Sequence, residues 1–307
     1  DKMSPLAQVN LYGLTNYFNE LKSLYDNKNL PNKILLTGSK GLGKFTLSLH
    51  FINYVLSKSE SYPYDLENFR INKNNRSFKL VNNNSSSNLY LIDVQKDKKN
   101  IEINQIRELI NFCNKSSFNN KPRFILIDNL ELMNLNSNNA LLRTLEEPND
   151  NIYFILINNS HKILPTIKSR CLSFRISLSQ KEIKDVFSKI TNQNTNDLFN
   201  QNLIPHYFTT GDFIKFYNFS IENNIDLTNI TLKDLLLKII DENYYKKETL
   251  DINLIYSLIQ MYFLNNIKKT KNYEHYTKFI QAIDNIKKFN LDIESLFIQF
   301  KRQLKND

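Results

Sequence analysis

A cluster of glycines and the lysine that follows it carry the clearest chemical signal in the sequence. The chain has 307 residues but five glycines, and Gly38, Gly41 and Gly43 fall within six positions just before Lys44. In the order G-x-x-x-x-G-K, backbone N–H groups surround phosphate oxygens and the lysine reaches the β- and γ-phosphates. The pattern predicts a phosphate-binding loop. The alternative is a tight turn that no longer binds nucleotide.

Two further polar positions follow apolar runs that are typical of buried strands. Asp128 follows residues 124–127, at the place where P-loop proteins carry the acidic residue of their second motif. Asn158, or Asn159 beside it, follows a similar run and could contact a nucleotide. The alternative for Asp128 is a strand-end carboxylate that caps a local backbone group.

Strands and helices alternate along the first half of the chain and would position these residues. The apolar runs at 34–37, 89–94, 124–128, 152–157 and 172–176 predict strands. Helical spacing lies between them, and one such helix, at 137–147, is expected to stop at Pro148. This rhythm predicts a parallel α/β sheet with helices on both faces. Residues 59–88 are polar and are expected to form an exposed insertion or flexible loop.

Beyond residue 177 the alternation ends, and the remaining apolar spacing is helical. The spacing predicts a P-loop α/β domain over 1–177 followed by an all-helical region over 178–307.

Charge and cysteine content narrow the classes of protein. The formal net charge is +9, and residues 1–175 hold 23 Lys and Arg against 15 Asp and Glu. A basic first half fits a phosphate-rich partner, although a solvated lysine-rich surface would give the same balance. Two cysteines cannot build a disulfide framework or a four-cysteine zinc site. No apolar run is long enough to span a membrane, and a cytoplasmic setting is expected.

Four segments resemble the AAA+ clamp-loader family of bacterial DNA polymerase III, and most nearly its delta-prime subunits. They are the sequences LLTGSKGLGK at 35–44, ILIDN at 125–129, NNALLRTLEEP at 138–148 and LPTIKSRC at 164–171. The last two together distinguish clamp-loader subunits from other P-loop proteins. The resemblance covers about residues 5–178. It implies an AAA+ domain over 1–177, a small helical lid over 178–225 and a helical collar, or oligomerisation domain, over 226–307.

The resemblance implies roles for individual residues. The arginine of the family's Ser-Arg-Cys segment reaches the γ-phosphate of ATP on a neighbouring subunit, which implies that Arg170 is an arginine finger acting in trans. The alternative is a surface arginine paired with a helix carboxylate. The nucleotide contacts implied for this chain are Gly38, Gly41, Gly43, Lys44, Thr46, Asp128 and Asn158.

The resemblance also implies cofactors and partners. ATP would occupy a weak or vestigial site, with Mg²⁺ present only alongside nucleotide. No zinc is expected, because the cysteines of the family's zinc module are missing. The implied partners are the other subunits of a hetero-pentameric clamp loader, the sliding clamp, and primed DNA contacted through its phosphates; no membrane is implied.

Three departures from the family pattern predict little or no hydrolysis by this chain. Phe45 stands where a hydroxyl residue ligates Mg²⁺, and Asn129 stands where hydrolysing relatives have a glutamate. Glu131, two residues further, is expected to face away. Asp212 follows Gly211 at the best candidate position for the family's second sensor arginine. These changes favour the delta-prime subunits, which do not hydrolyse ATP, over the motor subunits.

Other readings remain open. An ATP-hydrolysing motor subunit would need Thr46 to replace the missing hydroxyl, although one step along a helix turns a side chain by about 100°. A P-loop nucleotide kinase would need an arginine-rich lid, which the second half of the chain does not offer. An independent DNA-binding protein would be expected to carry a base-recognition motif, and none is present.

Overall fold

The computed structural model describes residues 5–147, 151–246, 250–266, 270–289 and 291–306. The chain divides into two compact units, Asp1–Ile183 and Lys184–Asp307. The finer division of the second half into a lid and a collar stays a prediction. Pro148, the expected stop of one helix, lies outside the described residues.

The first unit contains a five-stranded sheet in which every pairing is parallel, which confirms the predicted fold class. Its order is β2-β3-β4-β1-β5. The strands are β1 (Lys33–Thr37), β2 (Leu89–Ile92), β3 (Arg123–Ile127), β4 (Ile152–Asn158) and β5 (Leu172–Arg175).

Helices connect the strands and cover the sheet. They are α1 (Thr15–Asp26), α2 (Lys44–Ser57), α3 (Arg76–Asn82), α4 (Ile103–Asn114), α5 (Leu135–Glu146) and α6 (Pro165–Lys168). Successive residues of a strand point to opposite faces, so Ile125 joins the core with α4 and α5 while Phe124 packs its ring against Phe51 of α2. Both faces are apolar, as a parallel sheet between helices requires.

The strand order brings the predicted site residues to one edge of the sheet. Strand β4 lies between β1 and β3, with Thr37 opposite Asn158 and Ile127 opposite Leu156. The glycine loop begins after Thr37 and Asp128 follows Ile127, so both lie at the carboxyl ends of the two strands that flank β4. Ligands of open α/β sheets bind in this position.

Residues 59–88 differ from the exposed loop that the composition predicts. They contain helix α3, whose N-cap Asn75 accepts a hydrogen bond from the Phe78 backbone N–H at 2.7 Å. Tyr64, Ile71 and Phe78 are buried. The expectation of a wholly exposed loop was wrong, because a few apolar residues among many asparagines suffice to pack part of this segment.

A buried histidine helps to hold the same segment. His50 of α2 is fully buried, and its Nδ1 lies 2.8 Å from the Tyr64 hydroxyl while its Nε2 lies 3.0 Å from the Gln8 carbonyl oxygen. Both ring nitrogens are therefore engaged. Burial lowers the pKa of His50 to about 4, against the raising effect of the Gln8 carbonyl.

The second unit is helical, as the sequence predicts. Helix α7 (Gln180–Thr191) contains the boundary between the units. It is followed by α8 (Thr195–Leu198), α9 (Thr210–Glu222), α10 (Leu232–Asp241), α11 (Ile252–Asn265), α12 (Thr270–Phe289) and α13 (Glu294–Asn306). Phenylalanines fill its core: Phe199 stacks on Phe216, with ring centroids 5.7 Å apart, and Phe263 packs against Phe300 at 5.5 Å.

The free energy of unfolding should fall as pH is lowered from about 6.5 to about 4, because the folded chain keeps His50 neutral while the unfolded chain protonates it. A depressed histidine pKa removes stability on acidification, by about 2 kcal/mol at pH 5 relative to pH 8. Urea unfolding at the two pH values measures it. His50→Gln should flatten this dependence. His161→Gln, at an exposed histidine, should leave it unchanged, and equal slopes in both variants would contradict the assignment.

Candidate functional site

The glycine loop has the backbone conformation that its sequence predicts. Gly38, Gly41 and Gly43 have φ values of 140°, 88° and 94°, in the region that favours glycine. A Cβ atom on Gly38 would lie 2.4 Å from the Ile176 carbonyl oxygen. Only glycine therefore fits at the start of the loop, where the chain passes close to the end of β5.

Lys44 lies inside its own loop. The side chain is 3% exposed, and its Nζ donates hydrogen bonds to the carbonyl oxygens of Gly38 at 2.8 Å and Ser39 at 2.6 Å. Burial lowers the pKa of Lys44 to about 8, against the opposing negative charges of Asp128 and Glu131. A phosphate at this loop would compete with two backbone carbonyls for the ammonium group.

The residues after Lys44 open helix α2. Phe45 and Thr46 are both half-buried, and Phe45 brings no oxygen to the position where a metal-bound hydroxyl is expected. The Thr46 hydroxyl has no hydrogen-bond partner within the described part of the chain. The assignment of Thr46 as a nucleotide contact stays a prediction.

Asp128 belongs to a buried polar network. Its Oδ1 accepts a hydrogen bond from the Asn129 backbone N–H at 2.8 Å and another from the Asn159 side-chain amide at 3.1 Å. Burial raises the pKa of Asp128, against these two hydrogen bonds, which lower it. The carboxylate thus lies within the predicted site, at the end of β3 and facing the end of β4.

Asn129 is fixed on two sides. Its backbone is left-handed, with φ of 51°, and its side chain is 7% exposed. The amide nitrogen donates to Asp93 Oδ1 at 2.7 Å, and the amide oxygen accepts from Asn159 Nδ2 at 3.1 Å. Asparagine tolerates this backbone conformation, and both ends of its amide are satisfied. Where hydrolysing relatives are expected to hold a glutamate, this chain has an asparagine whose side chain connects Asp93 to Asn159 by hydrogen bonds.

Glu131 contradicts the expectation that it faces away from the site. Its Oε2 accepts the backbone N–H of Asn159 at 2.9 Å, at the end of β4, and its charge acts on Lys44. The left-handed Asn129 and the 3₁₀ turn Leu130–Leu132 bring the chain back toward the strand ends. The expectation that Glu131 faces away was wrong, because this turn directs its carboxylate to the end of β4.

The two candidate asparagines after β4 have different partners. Asn158 is 2% exposed, and its amide donates to the carbonyl oxygen of Ser160 at 2.6 Å, within the following loop. Asn159 instead donates to Asp128 and Asn129. Of the pair, Asn159 contacts the other site residues, and Asn158, the preferred candidate, turns to the loop.

Arg170 pairs with a carboxylate of helix α5. Its Nε and Nη2 donate to Glu146 Oε1 at 3.1 and 2.5 Å, and its Nη1 donates to the Thr166 carbonyl oxygen at 2.7 Å. The side chain is 35% exposed and that of Glu146 is 55% exposed. This is the surface pairing that the sequence left open, and it leaves the role toward a neighbouring subunit as a prediction.

Asp212 has a structural partner within the second unit. Thr209 is the N-cap of helix α9, and Asp212 accepts hydrogen bonds from the Thr209 backbone N–H and hydroxyl, each at 3.0 Å. The two residues form a capping box, which satisfies backbone donors at the helix start. The acid at the expected sensor position therefore stabilises its own helix.

Sequence reasoning missed Asp93 and Glu146. Asp93 directly follows β2, so the rule that selected Asp128 at the end of β3 would have found it. Glu146 lies within the segment that resembles the clamp-loader family, but spacing alone does not show that it meets Arg170, 24 positions later.

Two kinds of feature are absent from the described residues. No group of three or more histidine, cysteine, aspartate or glutamate side chains has an arrangement that could hold a metal ion. No helix in the same part of the chain has the length and apolar character needed to cross a membrane.

The parallel sheet and the glycine loop define a P-loop α/β protein. The family model described as "DNA polymerase III, delta subunit" matches residues 13–180, which is more than half of the chain. The chain belongs to this family. Its similarity to curated delta' subunits indicates a delta-prime-like clamp-loader subunit.

Individual relatives agree with this assignment. The chain is similar to DNA polymerase III subunit delta' of Pseudomonas aeruginosa, 28% identical over 45% of this chain and 40% of that one. It is similar to subunit delta' of Buchnera aphidicola subsp. Baizongia pistaciae, 32% identical over 34% of this chain and 32% of that one. The matched region thus spans less than half the length of either relative.

Among solved structures, a DNA polymerase III gamma subunit-related protein of Thermotoga maritima is 18% identical. The alignment covers 87% of this chain and 78% of that one, with a TM-score of 0.41.

Replacing Asn129 by aspartate should lower the free energy of unfolding by about 2 kcal/mol, because it sets a second carboxylate against Asp93 in a largely buried position. Asp93→Asn in the same chain should restore most of the loss by returning an amide donor to the pair. Thermal unfolding of the two single variants and the double variant measures this coupling. Purely additive effects would show that the Asp93–Asn129 contact does not hold the strand ends.

Proposed function

We propose that the chain acts as a delta-prime-like subunit of a cytoplasmic DNA polymerase III clamp loader, which places the sliding clamp on primed DNA during replication. Its partners would be the other subunits of a hetero-pentameric ring, the clamp, and DNA contacted through its phosphates. The family match, the names of the relatives and the basic first half support this role. Salt should weaken any DNA contact strongly, because phosphate contacts release counterions.

The subunit is proposed not to hydrolyse ATP. The observation that supports this proposal is the hydrogen bonding of the Asn129 side chain. An amide has no basic lone pair to orient and deprotonate water, and this one already donates to Asp93 and accepts from Asn159. Phe45 adds to the argument, since it withholds the hydroxyl that would ligate Mg²⁺. Neither departure disturbs the fold of the glycine loop.

Nucleotide binding at the loop is proposed to be weak. The positive φ values of Gly38, Gly41 and Gly43 suit a phosphate-binding loop. To bind a phosphate, however, Lys44 would have to give up its hydrogen bonds to two backbone carbonyl oxygens. Asp128 would supply oxygen to any Mg²⁺ that accompanied the nucleotide, and Thr46 would be a further contact with the nucleotide itself. The role proposed for Asn158 as a nucleotide contact passes to Asn159, which meets Asp128.

Arg170 is proposed to act on a neighbouring subunit. It lies on the surface, and its guanidinium would stabilise the charge that develops on the γ-phosphate of ATP held next door. The Ser-Arg-Cys sequence at 169–171 and the partial exposure of the side chain support this assignment.

A hydrolysing motor subunit is the second candidate, and Glu131 favours it. This carboxylate points toward the strand ends and acts electrostatically on Lys44. In this role it would orient water in place of the glutamate missing at position 129, and Thr46 would replace the missing metal-ligating hydroxyl.

The purified chain should release no phosphate from ATP above background, with or without primed DNA, because neither Asn129 nor Phe45 can take part in hydrolysis. A coupled phosphate-release assay measures this, and the Lys44→Ala variant defines the background. Turnover that is lost in both Lys44→Ala and Glu131→Gln would favour the motor subunit instead.

Arg170→Ala should leave assembly of the reconstituted complex intact and lower ATP turnover at the adjoining motor subunit by more than about tenfold, since an arginine finger contributes about 10³–10⁵ in related enzymes. The measurement uses a complex in which only that motor subunit keeps its P-loop lysine. Lys168→Ala removes an exposed cation from the same segment and should have no effect. Unchanged turnover with Arg170→Ala would remove the finger assignment.

A further inference from the structure

The backbone that carries Arg170 is anchored to the helix that carries Glu146. Ile167 of α6 and Leu145 of α5 are 1% and 0% exposed, and they belong to the same apolar core. Short-range hydrogen bonds hold the turn, from Ser169 N–H to the Pro165 carbonyl at 2.9 Å and from Arg170 N–H to the Ile167 carbonyl at 3.1 Å. Arg170 and Glu146 therefore extend from two neighbouring, fixed pieces of backbone.

The guanidinium of Arg170 is held along one side. Its Nε and Nη2 both donate to one carboxylate oxygen of Glu146, and its Nη1 donates to the Thr166 carbonyl. Nη1 also approaches the Ser169 hydroxyl at 3.5 Å. Nη2 carries two N–H groups, and Glu146 is its one hydrogen-bond partner among the described residues. The second N–H of Nη2 therefore has no acceptor among the described residues and can donate to a group on another molecule.

We propose that Glu146 is a positioning residue for Arg170, which fixes the guanidinium so that its remaining donor meets the terminal phosphate of a nucleoside triphosphate on a neighbouring subunit. The inference rests on the proposed function, because it needs Arg170 to act in trans. A long, exposed arginine side chain loses rotational freedom when it engages a ligand. A carboxylate that orders it beforehand removes part of that cost in the transition state.

The neighbouring acid provides a matched control. Glu147 is exposed, adjacent to Glu146, and makes no ion pair with the described residues. Replacing it removes the same charge from the same region without touching Arg170. A glutamine at position 146 tests a second distinction, since it keeps an acceptor oxygen but not the charge.

The test uses the reconstituted complex in which only the adjoining motor subunit retains its P-loop lysine. Glu146→Ala should lower kcat for ATP at that site about tenfold, with KM for ATP unchanged, because the effect falls on the transition state. Glu146→Gln should recover most of the rate, and Glu147→Ala should match the wild type. Co-elution on size exclusion normalises each rate to assembled complex.

The outcomes separate this inference from the proposed function. If Arg170→Ala lowers kcat and Glu146→Ala does not, the positioning role is overturned and the finger stands. A faster Glu146→Ala complex would mean that the pair restrains Arg170, which also overturns positioning. If Arg170→Ala has no effect, the finger assignment fails, and the positioning role of Glu146 fails with it. A Glu146→Gln complex as slow as Glu146→Ala would locate the effect in charge and overturn positioning by a hydrogen bond.

Discussion

The side-chain amide of Asn159 ties together the ends of β3 and β4, and the arrangement of the site depends on it. The side-chain nitrogen of Asn159 donates to Asp128 and to Asn129, both at 3.1 Å. The backbone N–H of the same residue donates to Glu131. Buried polar groups are stable only when such partners are present. The network fixes a carboxylate, an amide and the returning 3₁₀ turn at one edge of the sheet. Asn129 is thereby committed to a structural role.

The glycine loop, the five strands and Asp128 could all be predicted from the sequence, because each rests on a strong local signal. Closely spaced glycines ahead of a lysine restrict the backbone to few conformations. Continuous apolar runs of four or five residues between helical segments leave little choice but a buried parallel strand. Parallel pairing then places strand ends at a common edge, so Asp128 and the glycine loop are expected on the same edge of the sheet, and the strand order brings them to the two sides of β4.

Local signals did not determine which side chain meets which. Adjacent residues of a strand point to opposite faces, so choosing between Asn158 and Asn159 requires the point at which β4 ends. The direction of Glu131 depends on one left-handed residue, Asn129. The packing of residues 59–88 depends on contacts such as His50 with Tyr64, 14 positions apart. Contacts of this kind depend on tertiary structure, which spacing and composition do not encode.

The glycine at the start of the loop has a structural role that does not depend on nucleotide. A side chain on Gly38 would collide with the Ile176 carbonyl, and the Lys44 ammonium is satisfied by carbonyl oxygens of the loop itself. Close packing at Gly38 and the Lys44 hydrogen bonds therefore hold the loop in shape without a nucleotide. Phe45 and Asn129 therefore stand beside a loop whose backbone keeps the φ values typical of phosphate loops. An intact phosphate loop is consequently weaker support for ATP turnover than the residues that surround it.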